Sequence, residues 1–328
     1  MNITRLFTTH RKLLLMGFLI LLIAFVLTFP LYGGARTRVL ITMLVYAILA
    51  MSWAMFSGTT GYMSLAPAAF FGTGIYTTYL LQNHLPLPII IVAAGLISFV
   101  LAVLLGLVTL RLKGIYFTIF TFGLVVFIPN VVTYVEGEVT QHHGWYFNVL
   151  DRTIILYTML GLAVVTVLAI YLIRRSRLGL AMQSIGGNEE AAEHMGIDTT
   201  RTKVLTFAIS AIFMGAAGAV LAPSLSYSNP TIAYSAFYSF VPIVAAVFGG
   251  MGSLQGPIVG GLLFGFLEKT LKVEWNTYFM LGFGIIIVLV ILFLPTGMVG
   301  LVPILRDKLG GAISKWRKGR EGEQHANT

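Results

Sequence analysis

The chain has 328 residues and a formal net charge of +9, with 57% hydrophobic and only 10% charged residues. Soluble domains carry about 45–50% apolar and about 25% charged residues, so an ordinary soluble enzyme or binding domain is excluded. There is no cysteine, which removes disulfides, thiolate metal sites and cysteine nucleophiles.

No Asp, Glu, Lys or Arg occurs from Val39 to Leu110 or from Val204 to Leu267. A membrane crossing needs about 20 apolar residues, so each run holds several. Continuous apolarity without period-two alternation argues for helices rather than a closed β-barrel. The fold class is all-α, a polytopic transmembrane helical bundle.

In chain order, a basic segment, MNITRLFTTHRK, precedes an apolar stretch from Leu13 to Phe29, and no A-x-A-like cleavage site follows. This predicts an uncleaved first span. Further spans are expected near 38–56, 68–82, 87–110, 114–135, 153–173, 204–222, 236–249, 255–267 and 276–294, about ten in all. The stretches 68–82, 236–249 and 255–267 are short, and the last two, joined by GGMGS, are candidates for a re-entrant hairpin. No Asp or Glu falls inside any of these spans. That speaks against a proton- or sodium-coupled carrier, which keeps intramembrane carboxylates to bind its coupling ion.

Ten crossings put both termini on one side. With that side cytoplasmic, 16 of the 21 basic residues lie inside, leaving Arg36, Arg38, Arg152, Lys269 and Lys272 outside. The positive charge thereby has an explanation that needs no nucleic acid. The division of the chain is a transmembrane domain over 1–300 and a basic cytoplasmic tail over 301–328.

Between two spans lies the longest polar insert, 179–203. Within it, Asn188 can cap a short helix, Glu189 and Glu190 occupy its first turn, and Gly196 suits the left-handed position after its end. About two turns of helix are unstable alone in water, so this one needs a surface to lie on. Ala191, Ala192 and Met195 form a small apolar face suited to a groove on another protein.

Glu190-Ala191-Ala192 followed by Gly196 resembles the cytoplasmic coupling loop of ABC importer permeases. The stretch NEEAAEHMGIDTTRTKVLTFAISAIFMGAAGAVLA is similar to LivM-type permeases of branched-chain amino acid importers and to the related urea permeases. GYMSLAPAAFFGTGIY (61–76), LRLKGIYFTIFTFG (110–123), VFGGMGSLQGP (247–257) and LPTG (294–297) extend the resemblance over roughly residues 40–300. The resemblance implies a type II ABC importer-like bundle in the bacterial plasma (inner) membrane. It also implies ABC ATPase subunits, a second, LivH-like permease and an extracytoplasmic substrate-binding protein as partners, with the lipid bilayer around them. ATP hydrolysis then belongs to the partner, and this chain, which has no phosphate-binding GxxxxGK[ST] loop, is no enzyme and needs no cofactor. The coupling residues it implies are Asn188, Glu189, Glu190, Ala191, Ala192, Met195 and Gly196.

Gly61, Ser64, Pro67, Gly249, Gly250, Gly252 and Ser253 either make tight turns or expose backbone to a substrate pathway; both readings satisfy the residues. Glu136 and Glu138, in a polar external segment, are candidates to receive the binding protein. His142 and His143 lack the further ligands a metal requires. Gly186, Ile115, Val126 and Pro129 stand where, or near where, many family members carry charge. Urea, a short amide or another small solute is therefore the alternative substrate, and a secondary carrier the alternative class.

Overall fold

The computed structural model describes residues 34–139 and 144–274, with isolated positions at 281, 282, 284, 285 and 288. The expected first span, most of the last span and the tail lie outside the described residues. In order, the helices are α1 (Gly34–Thr60), α2 (Pro67–Leu81), α3 (Leu87–Thr109), α4 (Ile115–Val139), α5 (Arg152–Arg175), α6 (Arg177–Gly187), α7 (Glu189–His194), α8 (Thr199–Leu221), α9 (Pro230–Ala233), α10 (Phe237–Gly249) and α11 (Gln255–Glu274). The all-α reading needs one small amendment. Strand β1 (Trp145–Tyr146) pairs antiparallel with β2 (Tyr227–Ser228), Trp145 opposite Ser228.

Six segments among the described residues are long and apolar enough to cross a membrane: 36–60, 87–109, 115–138, 152–175, 199–224 and 230–249. Of the ten expected spans, 13–29 and most of 276–294 lie outside the residues searched, and the six agree with expected spans at 38–56, 87–110, 114–135, 153–173, 204–222 and 236–249. Helices α1 and α8 form the centre, each with 83% of its most apolar window buried, whereas α4 has only 22% buried. A helix apolar on every side is stable when enclosed by others, which is how α1 is placed.

Small residues let the central helices approach closely. A Cβ on Gly74 of α2 would lie 1.9 Å from the Gly215 carbonyl oxygen of α8. On α11, a Cβ on Gly261 would lie 2.4 Å from the Ala47 Cα, and one on Gly265 2.6 Å from the Met43 Cα. Helix α11 thus runs antiparallel to α1 with their backbones nearly touching, the small-residue packing familiar in membranes.

This pairing carries the apolar stretch 255–267 into a longer helix. Helix α11 has 20 residues, about 30 Å of rise, and follows α1 along its length. The apolar pattern stops at Leu267, but the helix continues, carrying Glu268 and Lys272 as an i,i+4 ion pair with the Glu268 side chain only 5% exposed. Glu136 likewise sits within α4, buried, and accepts a hydrogen bond from the Trp145 indole at 2.5 Å. Both acids lie one residue past the spans placed from sequence, on helices that continue beyond their apolar windows. Glu136, enclosed in this way, is also unavailable as a rim contact for a binding protein.

Gly261→Val should disrupt the α1–α11 contact, with overpacking costing about 1–3 kcal/mol. Gly252→Ala should be neutral, since no atom lies within 4 Å of the added methyl. Thermal unfolding of the detergent-solubilised chain separates the two, and equal stability would refute the proposed register.

Candidate functional site

At one end of the bundle, the segment after α5 folds back on itself as α6, α7 and the start of α8. Ser176 caps α6, accepting from the Gly179 amide at 3.4 Å. Met182 and Ile185 of α6 are buried, and the Thr59 hydroxyl reaches the Met182 sulfur at 3.7 Å. Gly186 lies so near the end of α1 that a Cβ there would be 2.1 Å from the Thr59 carbonyl oxygen. No residue with a side chain fits that approach. Glycine at 186 follows from backbone packing.

The short helix α7 begins and ends as its residues dictate. The Asn188 side chain accepts from the Ala191 amide at 3.1 Å. At the other end Gly196 has φ +85°, its amide bonds to the Glu193 carbonyl at 2.9 Å, and the Ile197 amide bonds to the Ala192 carbonyl at 3.1 Å. These two bonds are a complete Schellman closure, which requires the left-handed residue. The Glu193 carboxylate also accepts from the Thr199 hydroxyl at 2.8 Å, tying α7 to α8.

The seat of α7 is a buried lysine. Lys203, on the first turns of α8, is 3% exposed, and its ammonium donates to Glu189 Oε1 at 2.6 Å, to the Tyr62 hydroxyl at 3.2 Å and to the Leu110 carbonyl at 3.4 Å. Three N–H donors meet three acceptors, so the group is fully satisfied. It also lies 4.6 Å from the centre of the Tyr62 ring. Tyr62 completes the circuit by donating to Glu189 Oε2 at 2.5 Å.

Burial acts to raise the Glu189 pKa, but the hydrogen bonds from Lys203 and Tyr62, with the charges of Lys203 and Lys113, outweigh it and hold the carboxyl below its ordinary value. Burial, followed by the hydrogen bond to Glu189 and its charge, pushes the Tyr62 phenol up.

Sequence reasoning located α7 but placed Ala192 on one outward face with Ala191 and Met195. Glu189 points into the protein and is engaged by Lys203 and Tyr62, with 16% of its side chain exposed. Ala192 is fully buried against the bundle instead of joining an outward apolar face. What faces outward is Glu190, Ala191, His194 and Met195, the last 69% exposed. Tyr62 and Lys203 were not singled out. The only signal was that Lys203 stands within one turn of a long apolar helix.

The seven residues considered for a solute path fall into two turns that meet. A Cβ on Gly58 would lie 3.2 Å from the Met251 Cβ, bringing 58–67 against 249–253. Gly61 and Gly250 take positive φ, +77° and +100°, and Pro67 opens α2. The irregular backbone between α1 and α2 is extensively tied down. The Trp53 indole donates to the Ser64 carbonyl at 2.7 Å, the Leu65 amide to the Thr121 hydroxyl at 3.0 Å, and the Ser239 hydroxyl to the Leu65 carbonyl at 2.8 Å. Ser64 itself is buried and accepts from the Ala66 amide, Gly249 packs on Gly256, and Ser253 accepts from the Gly256 amide. Gly252 faces open space.

The family described as branched-chain amino acid transport system, permease component, matches residues 35–291. The permease protein LivM of the high-affinity branched-chain amino acid transport system of Salmonella typhimurium is 31% identical, covering 92% of this chain and 77% of its own length. LivM of Escherichia coli K12 is 29% identical over 93% of this chain and 79% of its own, and LivH of the same strain 28% identical over 78% and 91%. Among solved structures, a chain of PsaBC from Streptococcus pneumoniae in complex with Fab matches at a TM-score of 0.47 and 15% identity, covering 87% of this chain and 99% of that one.

Lys203→Met leaves Glu189 without its cation and should destabilise the chain by about 2–3 kcal/mol, less than for a fully enclosed pair because Glu189 keeps some solvent. Glu189, with its folded pKa lowered, contributes stability that is present above the ordinary carboxylate value near pH 4.5 and lost as pH falls through the lowered value. Thermal unfolding from pH 7 down to pH 3 should show that acid loss reduced in Glu189→Gln. An unchanged acid limb would contradict the assignment.

Proposed function

The chain belongs to the branched-chain amino acid transport system permease family, and from that premise we propose that it is the transmembrane permease subunit of an ABC importer for branched-chain amino acids. On this reading it lies in the bacterial plasma membrane with both termini cytoplasmic and the α6–α7 end facing the cytoplasm. A second, LivH-like permease completes the path, an extracytoplasmic binding protein delivers the solute, and two ATPase subunits bind below.

The observation that carries the proposal is the two-sidedness of α7. Its inner side, Glu189 and Ala192, is fixed to the bundle, while Glu190, Ala191, His194 and Met195 are left outward for a partner. A helix anchored on one side and free on the other can pass a partner's movement to what anchors it. ATPase closure would push on the outward side, and the Glu189–Lys203–Tyr62 contact would hand that displacement to α8 and to the turn before α2. Asn188 and Gly196 fix the length and exit of the lever. The Gly61–Pro67 and Gly249–Ser253 turns, meeting where this push arrives, are assigned as the inner end of the solute path. A ligand-driven switch requires different affinities for the two states, which here belong to ATP and the binding protein rather than to this chain.

A secondary carrier is the competing class, and two carboxylates next to the expected spans, Glu136 and Glu268, are buried. Both acids are nevertheless held, one by Trp145 and the other by Lys272.

Glu190→Lys and Met195→Asp should insert normally yet lose ATPase co-purification and reduce solute uptake about ten-fold or more, the effect of removing a central contact. Gly196→Val, forced into a left-handed conformation, should act likewise. Normal uptake in all three would overturn the proposal. So would accumulation of leucine by the reconstituted chain alone under an ion gradient.

A further inference from the structure

At the end of the bundle opposite α7 there is a cavity of about 300 Å³ within this single chain. Its charged lining is Arg38, Arg152, Lys269 and Lys272 against one acid, Glu268. Glu268 is paired with Lys272, whereas Arg38, Arg152 and Lys269 make no ion pair among the described residues. The Tyr46 and Tyr238 hydroxyls belong to side chains that also line it, and neither is hydrogen-bonded within the described residues. The remaining described wall is Ile41, Val45, Leu221 and Leu225 with Thr42 and Ser224, whose hydroxyls donate to the Arg38 and Leu221 carbonyls.

The balance of this lining is unusual. Its unengaged polar groups are cations and phenol donors, with the one carboxylate already occupied. Three positive charges without an ion pair among the described residues, around one concavity, raise the local concentration of anions. Phenols facing an apolar wall are satisfied by an acceptor that enters with its apolar part against that wall. A planar carboxylate suits the forked donors of Arg38 and Arg152, and a short branched hydrocarbon suits the aliphatic side. About 300 Å³ is the lower end of the size range of small-molecule sites.

We propose that this cavity is a binding site for a small aliphatic carboxylate, with Arg38, Arg152 and Lys269 taking the carboxylate and Ile41, Val45, Leu221 and Leu225 taking the hydrocarbon. The lining described here comes from one chain and lies away from α7, so the site does not depend on the ATPase-coupling reading.

The test uses the full chain, purified without ATPase, in nanodiscs of phosphatidylcholine. Binding of 4-methylpentanoate, measured by titration calorimetry, should be saturable. 3-Methylbutylamine, which keeps the hydrocarbon and lacks the carboxylate, should not bind. Arg38→Gln with Lys269→Gln should weaken 4-methylpentanoate about ten-fold or more, as expected for lost charged hydrogen bonds. Arg38→Lys with Lys269→Arg should restore most of the affinity, which shows that the first variant fails through charge and not through misfolding. Ile41→Trp should block binding by filling the cavity with the charges untouched. Absence of saturable binding would overturn the proposal, as would equal binding of the amine or undiminished affinity in the Arg38→Gln, Lys269→Gln variant. Loss of carboxylate binding when phosphatidylglycerol replaces phosphatidylcholine would overturn it too, assigning the cations to a lipid phosphate. Leucine uptake by the assembled importer would be unaffected by that last result, so the two readings fail separately.

Discussion

The ammonium of Lys203 is the constraint from which the arrangement of the α6–α8 end follows. An unpaired charge with 3% exposure would be strongly unfavourable, and it is tolerated because each of its three protons has an acceptor. Those acceptors come from three places far apart in sequence: α7, the turn after α1, and the end of α3. Only one relative placement of these segments satisfies all three bonds together with the Tyr62–Glu189 bond. The lysine is therefore less a source of net stability than a device that fixes distance and orientation.

That fixing divides α7 into an inner and an outer side. The Asn188 cap and the Gly196 closure keep six residues helical, which such a length could not achieve alone. Docking of Ala192 and Glu189 leaves the helix with no freedom to rotate, so Glu190 and Met195 are displayed in a defined direction. Gly186 extends the same logic to α6, whose backbone rests on the last turn of α1. On the proposed reading, a partner gripping the outer side moves α1, α8 and the turn before α2 together.

Much of this was legible in the sequence. The helix boundaries at α2, α3, α5 and α10 fall within a residue or two of where apolarity and proline placed them, and the capping asparagine and terminal glycine of α7 are local signals that the structure uses as written. What was not legible depends on partners distant in the chain. Lys203 reads as one more loop cation, because nothing near it in sequence shows that Tyr62 and the Leu110 carbonyl will meet it. Ala192 and Met195 look like one face, since a two-turn helix has too few residues for its own periodicity to say which side docks. Glu136 and Glu268 were excluded from the spans because a window of apolar residues ends at the first charge, whereas a helix continues wherever that charge finds a partner. The α1–α11 pairing depends on glycines whose meaning appears only when another backbone lies against them.

The account stands or falls on whether displacement of α7 reaches the bundle through the Lys203 cluster. Tyr62→Phe removes one hydroxyl from that cluster and leaves the outer side of α7 intact, so it separates docking from transmission. In proteoliposomes holding the assembled importer, the ratio of ATP hydrolysed to leucine taken up is the direct readout. Tyr62→Phe should leave ATPase assembly and hydrolysis normal with that ratio raised, because strokes no longer move the path. A ratio equal to that of the unmodified importer would contradict it.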